Sequence, residues 1–399
     1  MTETLKTALQ AKSALAVHED WRQALDIALA GLAGIKPDLL FVFASASYAQ
    51  DLPALIKAAY QESGTSFLVG CSGLSLIGRS QEVEDEKAVS LLALTLPGVE
   101  LYPTRLTQRD LVTMQQDGGP VLATHTGVAP GQANSWVIFG DPFSLDVELL
   151  LQLFGEAYPR LPVLGGLATG SSNARRTYLF QNDQVYNDGA IGLAVGGAYE
   201  LQAVVSQGCM PIGQDWMVTS AEGQVVHTIS GRPALQILSE TLRGLTPQMQ
   251  MKVRNGLLVG LAVDEYRDSF GRGDFLMRGL AGVDQQSGAI GVSGLPRVGQ
   301  TIQFQLRDAE AADEDLRELL QQKRQELGET RPFAGVLFSC NGRGTGLFGT
   351  PNHDAAVIAD QFGDLPLTGF FCNGEIGPIG GKNFLHGFTA SLGLFVKKP

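Results

Sequence analysis

The sequence predicts an α/β protein of two pseudo-symmetric halves, built from repeated β–α–β units with mixed, largely parallel sheets. Three observations support this prediction: a strand–helix–strand pattern recurs along the chain, 44% of the residues are hydrophobic, and 49 of the 399 residues are glycine. Because only 18% of the residues are charged, we expect a sizeable buried core joined by many tight turns. The length suits two domains or more.

The recurring unit consists of an apolar strand, a polar loop, an amphipathic helix and a second strand that ends in glycine. Its copies lie at 39–45, 51–62 and 66–73; at 136–141, 146–158 and 162–167; and at 335–340, 354–362 and 366–374. A phenylalanine of the first strand precedes a glycine of the second by 27, 26 and 31 residues (Phe43 to Gly70, Phe139 to Gly165, Phe338 to Gly369). That spacing is typical of a right-handed β–α–β crossover with parallel strands.

A fourth, degenerate copy is predicted at 255–263 and 275–279, without a helix between its strands. Similar glycine-containing strands then follow the units, at 189–195, 288–292 and 389–395. Strands of similar sequence in similar positions indicate related halves.

The pattern divides the chain into an N-terminal helical segment (1–36), a first domain (37–225) and a second domain (226–396). The boundary between the two domains is placed within a predicted hairpin turn at 220–227, and residues 232–245 are then predicted to form a helix. Two amphipathic helices are predicted outside the repeats. Residues 3–33 carry apolar side chains at helical spacing, and residues 309–327 place acids first and bases last, which favours the helix dipole.

Charge and composition exclude several classes of partner. The net charge is −12, and the basic residues form no run longer than Lys397-Lys398, so neither nucleic acid nor an anionic membrane is an expected partner. No apolar stretch approaches the ~20 residues that span a bilayer, and the N-terminus lacks a signal-peptide pattern. Four scattered cysteines indicate reduced thiols. We therefore expect a cytoplasmic protein.

Two glycine-rich loops follow predicted strands and are the candidate binding site. Residues 338–346 and 369–381 both place Cys-Asn-Gly directly after an apolar strand. Ligands bind just beyond the carboxyl ends of strands in open parallel sheets, so we expect the two loops to meet around one pocket. The candidate ligand-binding residues are Cys340, Asn341, Arg343, Cys372, Asn373, Glu375, Gly377 and Asn383.

The charged residues of these loops fit a small zwitterion. Arg343 can clamp a carboxylate through two hydrogen bonds, and Glu375 can accept from an ammonium group, which favours an amino acid or a related metabolite. A carboxylate is costly to bury without a partner, so Glu375 needs a ligand cation, Arg343 or backbone amides of its own loop. We expect the ligand to be its partner.

The sequence contains no established catalytic or phosphate-binding motif. There is no P-loop and no nucleophile elbow, the string Gly342-Arg-Gly-Thr-Gly346 lacks the G-x-G-x-x-G spacing, and the five histidines have no paired metal spacing. Cys340 and Cys372, with His353 and His386 as bases, leave a thiol-dependent hydrolase as one alternative. A single His or Cys that holds haem iron from one side stays open as another.

Three stretches of this chain resemble the FIST family, named for F-box and intracellular signal transduction proteins. They are residues 39–73, residues 207–213 (Gln-Gly-Cys-Met-Pro-Ile-Gly) with Val218-Thr219, and residues 366–394 with Phe-Phe-Cys-Asn-Gly-Glu-Ile-Gly-Pro. The resemblance covers nearly the whole chain, as a FIST N-terminal domain at 37–225 and a FIST C-terminal domain at 226–396.

The resemblance implies a sensory module that binds a small ligand and is not an enzyme. Since no output domain is recognisable in the sequence, the signal is expected to pass to a separate partner such as a histidine kinase or a cyclic-nucleotide enzyme. Some bacterial relatives bind haem and sense nitric oxide, which makes a haem-binding sensor partnered with a histidine kinase the main alternative. No cofactor or iron ligand can be assigned from the motifs.

Overall fold

A computed structural model describes residues 8–116, 118–171, 173–267 and 269–398. They form two compact units. The first comprises residues up to Val205, Leu319–Leu385 and residues from Ala390 onward, and the second comprises Ser206–Glu318 and His386–Thr389. The predicted helical segment at 1–36 lies partly outside the described residues. The chain is mixed α/β, as predicted, and no helix in its described part is long and apolar enough to cross a membrane.

Up to Ser206, the elements are β1 (Gln10–Val17), α1 (Trp21–Gly31), β2 (Leu39–Ser45), α2 (Leu52–Ser63), β3 (Phe67–Gly73), β4 (Leu76–Gly78), β5 (Gln81–Val83), β6 (Ala88–Thr95), β7 (Val99–Leu106), α3 (Gln108–Gln115), α4 (Gly119–Thr126), β8 (Ala133–Gly140), α5 (Val147–Ala157), β9 (Val163–Leu167), β10 (Leu179–Gln181), β11 (Gln184–Tyr186), β12 (Ala190–Gly197) and β13 (Tyr199–Ser206).

From Cys209 onward, the elements are β14 (Cys209–Glu222), β15 (Val225–Ile229), β16 (Arg232–Pro233), α6 (Ala234–Arg243), α7 (Pro247–Gly256), β17 (Leu257–Ala262), β18 (Phe275–Asp284), β19 (Ala289–Val292), β20 (Thr301–Arg307), α8 (Ala309–Leu327), β21 (Ala334–Cys340), α9 (Thr345–Phe348), α10 (His353–Phe362), β22 (Leu367–Cys372), β23 (Glu375–Ile379), β24 (Lys382–His386) and β25 (Ala390–Lys397).

The three predicted β–α–β units are confirmed. In each, the two strands pair in parallel: β2 with β3, β8 with β9, and β21 with β22. The prediction of largely parallel sheets is wrong, however, because antiparallel neighbours flank each parallel pair. The strand beside β2, β8 and β21 on the other side is antiparallel in every unit (β6, β12 and β25). The last two of these are the glycine-containing strands predicted at 189–195 and 389–395.

The glycine that recurs in each unit is required for the same physical reason. Gly70, Gly165 and Gly369 lie opposite Val42, Ile138 and Leu337 in the parallel pairs. A Cβ at these glycines would lie 1.8, 1.9 and 2.0 Å from the carbonyl oxygen of the opposite residue. No side chain can be accommodated at that distance, so the spacing from phenylalanine to glycine reflects a close approach of two backbones.

The phenylalanines of the repeats meet in one core of the first unit. The ring centroid of Phe43 lies 5.6 Å from that of Phe139, which lies 6.0 Å from that of Phe338. Phe370 of β22 contacts all three rings at 5.0 to 6.3 Å. Because every ring is fully buried, this cluster packs the β–α–β units against one another.

The second unit is an antiparallel sheet with the strand order β14-β20-β17-β18-β19-β15-β16. Its core includes Val259, Phe304 and Ile237 of α6. The predicted hairpin at 220–227 is confirmed by the β14–β15 pairing, and α6 and α8 confirm the helices predicted at 232–245 and 309–327. The predicted division between residues 225 and 226 falls at the start of β15, inside this unit.

Two sequence predictions fail in the fold. Among the described residues, β17 and β18 have no helix between them, as predicted for the fourth copy, but they pair antiparallel rather than in parallel. Its companion strand at 288–292 forms β19, which pairs with β18 and β15 rather than with β17. The helix predicted over 3–33 is confined to α1 among the described residues, since Gln10–Val17 form a strand that pairs with β6.

Candidate functional site

The two predicted loops meet at the carboxyl ends of β21 and β22. Cys340 lies opposite Cys372 in the parallel pair, and the backbone N–H of Asn341 donates to the carbonyl oxygen of Cys372 at 3.0 Å. One residue further on, Nδ2 of Asn341 donates to Oδ1 of Asn373 at 2.8 Å, and both asparagines are exposed. The expected approach of the loops is therefore found, with two amide side chains at its surface.

Arg343 is not directed at the surface. Its Nε and one terminal nitrogen donate to the two carboxylate oxygens of Asp354, at 2.7 and 2.9 Å, and both residues are 1% exposed. Ser339 Oγ donates to the same carboxylate at 3.0 Å. Burial alone would raise the pKa of Asp354, but Arg343 holds it well below its usual range. The guanidinium face that was expected to clamp a ligand carboxylate is occupied by Asp354.

Glu82 belongs to the same buried cluster, and sequence reasoning missed it. Its Oε1 accepts from the backbone N–H of Ala355 in the first turn of α10 at 2.9 Å, and its own N–H donates to Asn352 Oδ1 at 2.7 Å. Burial, followed by the nearby Asp354, raises the pKa of Glu82 to about 7. Nothing in the sequence at 81–83 distinguishes this glutamate from an exposed one, because its partners are some 270 residues away.

Most of the remaining predicted site residues are buried and contact other parts of the protein. Glu375 is fully buried in β23, opposite Gly166, and Cys372 is also buried. Burial raises the pKa of the Cys372 thiol well above its usual range, and Glu375 adds to the effect. A Cβ at Gly377 would lie 2.7 Å from Val205 Cγ2 and 2.9 Å from Ser391 Oγ. Close packing therefore explains the glycine.

Asn383 binds the start of β9. Its Oδ1 accepts from the N–H of Val163 at 2.9 Å, and its Nδ2 donates to the carbonyl oxygen of Leu161 at 2.8 Å. Cys340 is half-buried at the end of β21. Of the eight predicted residues, Asn341 and Asn373 are thus the exposed ones.

A second candidate site is a small cleft within the second unit. One wall is the start of β14 with the residues before it, including Cys209 and Pro211, and another is the segment from Phe270 to Gly273. The floor is apolar. Phe275 and Met277 of β18 line it, and the rings of Phe270 and Phe275 lie 5.3 Å apart at 43°. The combination of an apolar lining with a few polar groups is typical of small-molecule sites.

Side-chain amides supply most of the polar groups of this cleft. Gln207 Nε2 donates to the carbonyl oxygen of Phe275 at 2.5 Å, and Gln305 Nε2 donates to Gln303 Oε1 at 2.5 Å. Gln303 Nε2 in turn donates to a carboxylate oxygen of Asp215 at 2.5 Å. Gln207 and Gln305 are about 95% buried, so the amides are held in place.

The charged residues of the cleft are Asp315 and Arg272. Asp315, on α8, accepts from Ser206 Oγ at 2.7 Å and from the N–H of Gly208 at 3.2 Å. Arg272 pairs with Glu314 at 2.6 Å and Glu318 at 3.4 Å. The cleft is therefore lined by one base and one buried acid, and two further acids contact the base.

The sequence signal for this cleft lies in the stretch 207–213, which resembles the FIST family but supplied none of the predicted site residues. Gln207, Gly208, Cys209 and Pro211 of that stretch all line the cleft. Among the described residues, no group of three His, Cys, Asp or Glu side chains is placed to hold a metal ion.

Comparisons with known proteins match this chain over nearly its whole length. The FIST N domain model matches residues 38–232, and the FIST C domain model matches residues 234–378. An uncharacterized protein of Mycobacterium tuberculosis is 39% identical over 365 residues, covering 92% of this chain and 93% of the relative. An uncharacterized protein of Mycobacterium bovis is 37% identical and covers 92% of both chains.

More distant matches are partial or weak. An F-box/LRR-repeat protein of Arabidopsis thaliana is 33% identical over 99 residues, covering 24% of this chain and 18% of that protein. A chorismatase crystal structure aligns with 98% of this chain and 99% of its own, but at a TM-score of 0.33 and 8% identity, which supports no argument about activity.

Proposed function

This chain belongs to the FIST family, and on that premise we propose that it is a sensory protein that binds a small metabolite and passes the signal to a separate partner. FIST domains are associated with signal transduction and small-ligand sensing. The observation that supports the proposal is the cleft of the second unit. It combines an apolar floor, fixed amides and a family-like stretch, Gln207 to Pro211, in one concave site.

We propose from the family that the partner is a histidine kinase or a cyclic-nucleotide enzyme in the cytoplasm. The net charge of −12 disfavours nucleic acid and anionic lipid surfaces as partners. We also propose that the chain has two pseudo-symmetric halves built from the repeated β–α–β unit; the shared register of Gly70, Gly165 and Gly369 supports the repetition of that unit.

A second location for a ligand is the exposed surface at the ends of β21 and β22. Asn341 and Asn373 present hydrogen-bonded amides there, beside the half-buried Cys340. An amino acid bound at this surface would have to find another partner for its carboxylate than Arg343, because Asp354 occupies that guanidinium. The cleft is therefore the favoured site.

Neither alternative activity is well supported by the residues that would carry it. The cleft offers Cys209 but no histidine as an iron ligand, and the two carboxylate groups of haem would meet one base that already pairs with Glu314 and Glu318. A thiol hydrolase needs a reactive thiolate, whereas burial raises the pKa of Cys372. We expect no Soret band in protein purified with adequate haem, and no hydrolase activity that Cys340→Ala or Cys372→Ala would remove.

A metabolite screen by thermal unfolding tests the proposal. A ligand at one hundred times its dissociation constant should stabilise the protein by about 2.7 kcal/mol and raise the midpoint. Phe270→Ala, which removes one wall of the cleft, should abolish the rise. Phe143→Ala is the matched control, since it removes a similarly half-buried ring in the first unit. A broad screen without a rise, or a rise that Asn341→Ala with Asn373→Ala removes instead, would contradict the cleft assignment.

A further inference from the structure

Hydrogen bonds fix the orientation of the two buried amides in the cleft. A backbone carbonyl oxygen can only accept, so the Gln207 group that contacts Phe275 O must be the nitrogen. The Asp215 carboxylate likewise fixes the nitrogen of Gln303, whose oxygen then accepts from Gln305. The hydrogen-bond partners of each amide therefore set its orientation.

These orientations leave hydrogen-bond acceptors for a ligand. In the described part of the chain, the carbonyl oxygens of Gln207 and Gln305 have no hydrogen-bond partner, and both residues line the cleft. Asp315 uses Oδ2 for its two hydrogen bonds to Ser206 and Gly208. Each amide nitrogen also carries a second N–H, so a ligand group with N–H donors can pair with the two carbonyl oxygens, and the local charge decides between a cation and an anion.

The local charge points the same way. Arg272 is the base of the cleft, and it already contacts Glu314 and Glu318, while Asp315 is a third acid beside it. One positive charge against three negative charges disfavours an anion and favours a neutral or cationic ligand. An aromatic ring suits the floor, where Phe270, Phe275 and the Met277 thioether provide contacts that rings favour.

We propose that the cleft selects a planar aromatic compound whose polar end carries N–H donors and is neutral or positively charged, such as an aromatic amidine, amine or carboxamide. This inference rests on the proposed function, since it names the ligand class of the same site. It also predicts that an aromatic carboxylate of the same size is rejected, because its negative charge would add to those of Asp315, Glu314 and Glu318. Such a group would also leave the carbonyl oxygens of Gln207 and Gln305 without donors.

Benzamidine, benzamide and benzoate test the inference, because they share one ring and differ in the charge and donors of one group. Calorimetric titration of the full chain should give dissociation constants on the order of 1 mM or tighter for the first two. Benzamidine should bind at least as tightly as benzamide, and benzoate at least about tenfold more weakly than either.

Two variants separate the contributions. Gln305→Leu removes one acceptor and should weaken benzamidine and benzamide about tenfold. Arg272→Ala removes an exposed base and should tighten benzamidine several-fold; it keeps the test open if Gln305→Leu does not fold. Equal or tighter binding of benzoate overturns the inference. Absence of binding by all three probes also overturns it. In that case the proposed function stands only if a metabolite raises the thermal midpoint of the wild type and not of Phe270→Ala.

Discussion

Arg343 and Asp354 form a buried ion pair whose geometry decides how Arg343 behaves on mutation. Removing one partner of a buried pair leaves the other charge uncompensated in a low dielectric, which costs about 3–5 kcal/mol. Arg343→Ala should therefore lower the free energy of unfolding by that amount in a urea titration. This outcome differs from the behaviour of a ligand-binding arginine, whose loss would leave the free protein nearly as stable.

Arg22 provides the matched control. It also pairs with two acids, Asp26 and Glu62, at 2.6 Å each, but its side chain is 40% exposed. Exposed pairs contribute about 0–1 kcal/mol, so Arg22→Ala should change stability little. Equal losses for the two variants would show that Arg343 is not a structural residue.

Glu82 makes the stability of the fold depend on pH, because its pKa differs between the unfolded and the folded chain. The pKa is about 4.5 when exposed and about 7 in the folded chain, so the unfolded chain gives up its proton first as pH rises. Folding stability should therefore fall as pH rises from about 4.5 to 7, by at most about 3 kcal/mol. Glu82→Gln cannot titrate, and its stability profile should be flatter across that window.

Glu84→Gln is the control for this prediction. Glu84 lies two residues away, is half-buried and accepts from the N–H and hydroxyl of Thr345, while Glu82 still titrates in the variant. Urea titrations at several pH values measure both profiles. If wild type and Glu82→Gln run parallel between pH 4.5 and 7, the assignment of the titration to Glu82 is wrong.

At the scale of elements, the parallel strand pairs depend on their glycines. Gly369→Ala would place a Cβ 2.0 Å from the carbonyl oxygen of Leu337, and a backbone atom cannot rotate away as a flexible side chain can. We expect a loss of about 3 kcal/mol in the free energy of unfolding, at the upper end of the usual cost of overpacking. Gly165→Ala should behave alike, since its Cβ would meet Ile138 O at 1.9 Å.

Gly155 supplies the control, because it lies inside α5 with open space around its Cα. Gly155→Ala should stabilise the protein by about 0.5–1 kcal/mol, through the lower backbone entropy of alanine in the unfolded chain. A tolerated Gly369→Ala would mean that the strands are not packed as closely as the repeat requires.

The repeated units were predictable because each depends on local sequence. The apolar strand, the helix and the glycine lie within some 35 residues, so the first strand and the second strand of the crossover can both be recognised in the sequence. The strand at Gln10–Val17 was not predictable in this way. Its small and apolar residues fit a helix equally well, and its partner, β6, lies more than 70 residues further along the chain. The strands β12 and β25 were predicted, but their antiparallel pairing with β8 and β21 was not, because the partner strand lies outside the local repeat.

At the scale of the whole molecule, the approach of the two loops could be predicted from the sequence, whereas the hydrogen-bond partners of their side chains could not. The strand register that joins Asn341 to Asn373 follows from the repeat, whereas the Asp354 that binds Arg343 carries no mark in the sequence. The cleft was harder still, since its walls come from residues 207–211, 270–277, 303–305 and 315. Only the first of these contributed a motif.

The most direct measurement of the central claim is methyl NMR of the methionines during addition of benzamidine and of any metabolite that raises the thermal midpoint. Met277 lies in the cleft floor, and Met114, equally buried, lies in the first unit. A ligand ring against the floor should shift the Met277 methyl signal saturably through its ring current and leave Met114 unchanged. Saturable binding that leaves Met277 at its free position would contradict the claim that the cleft of the second unit is the sensory site.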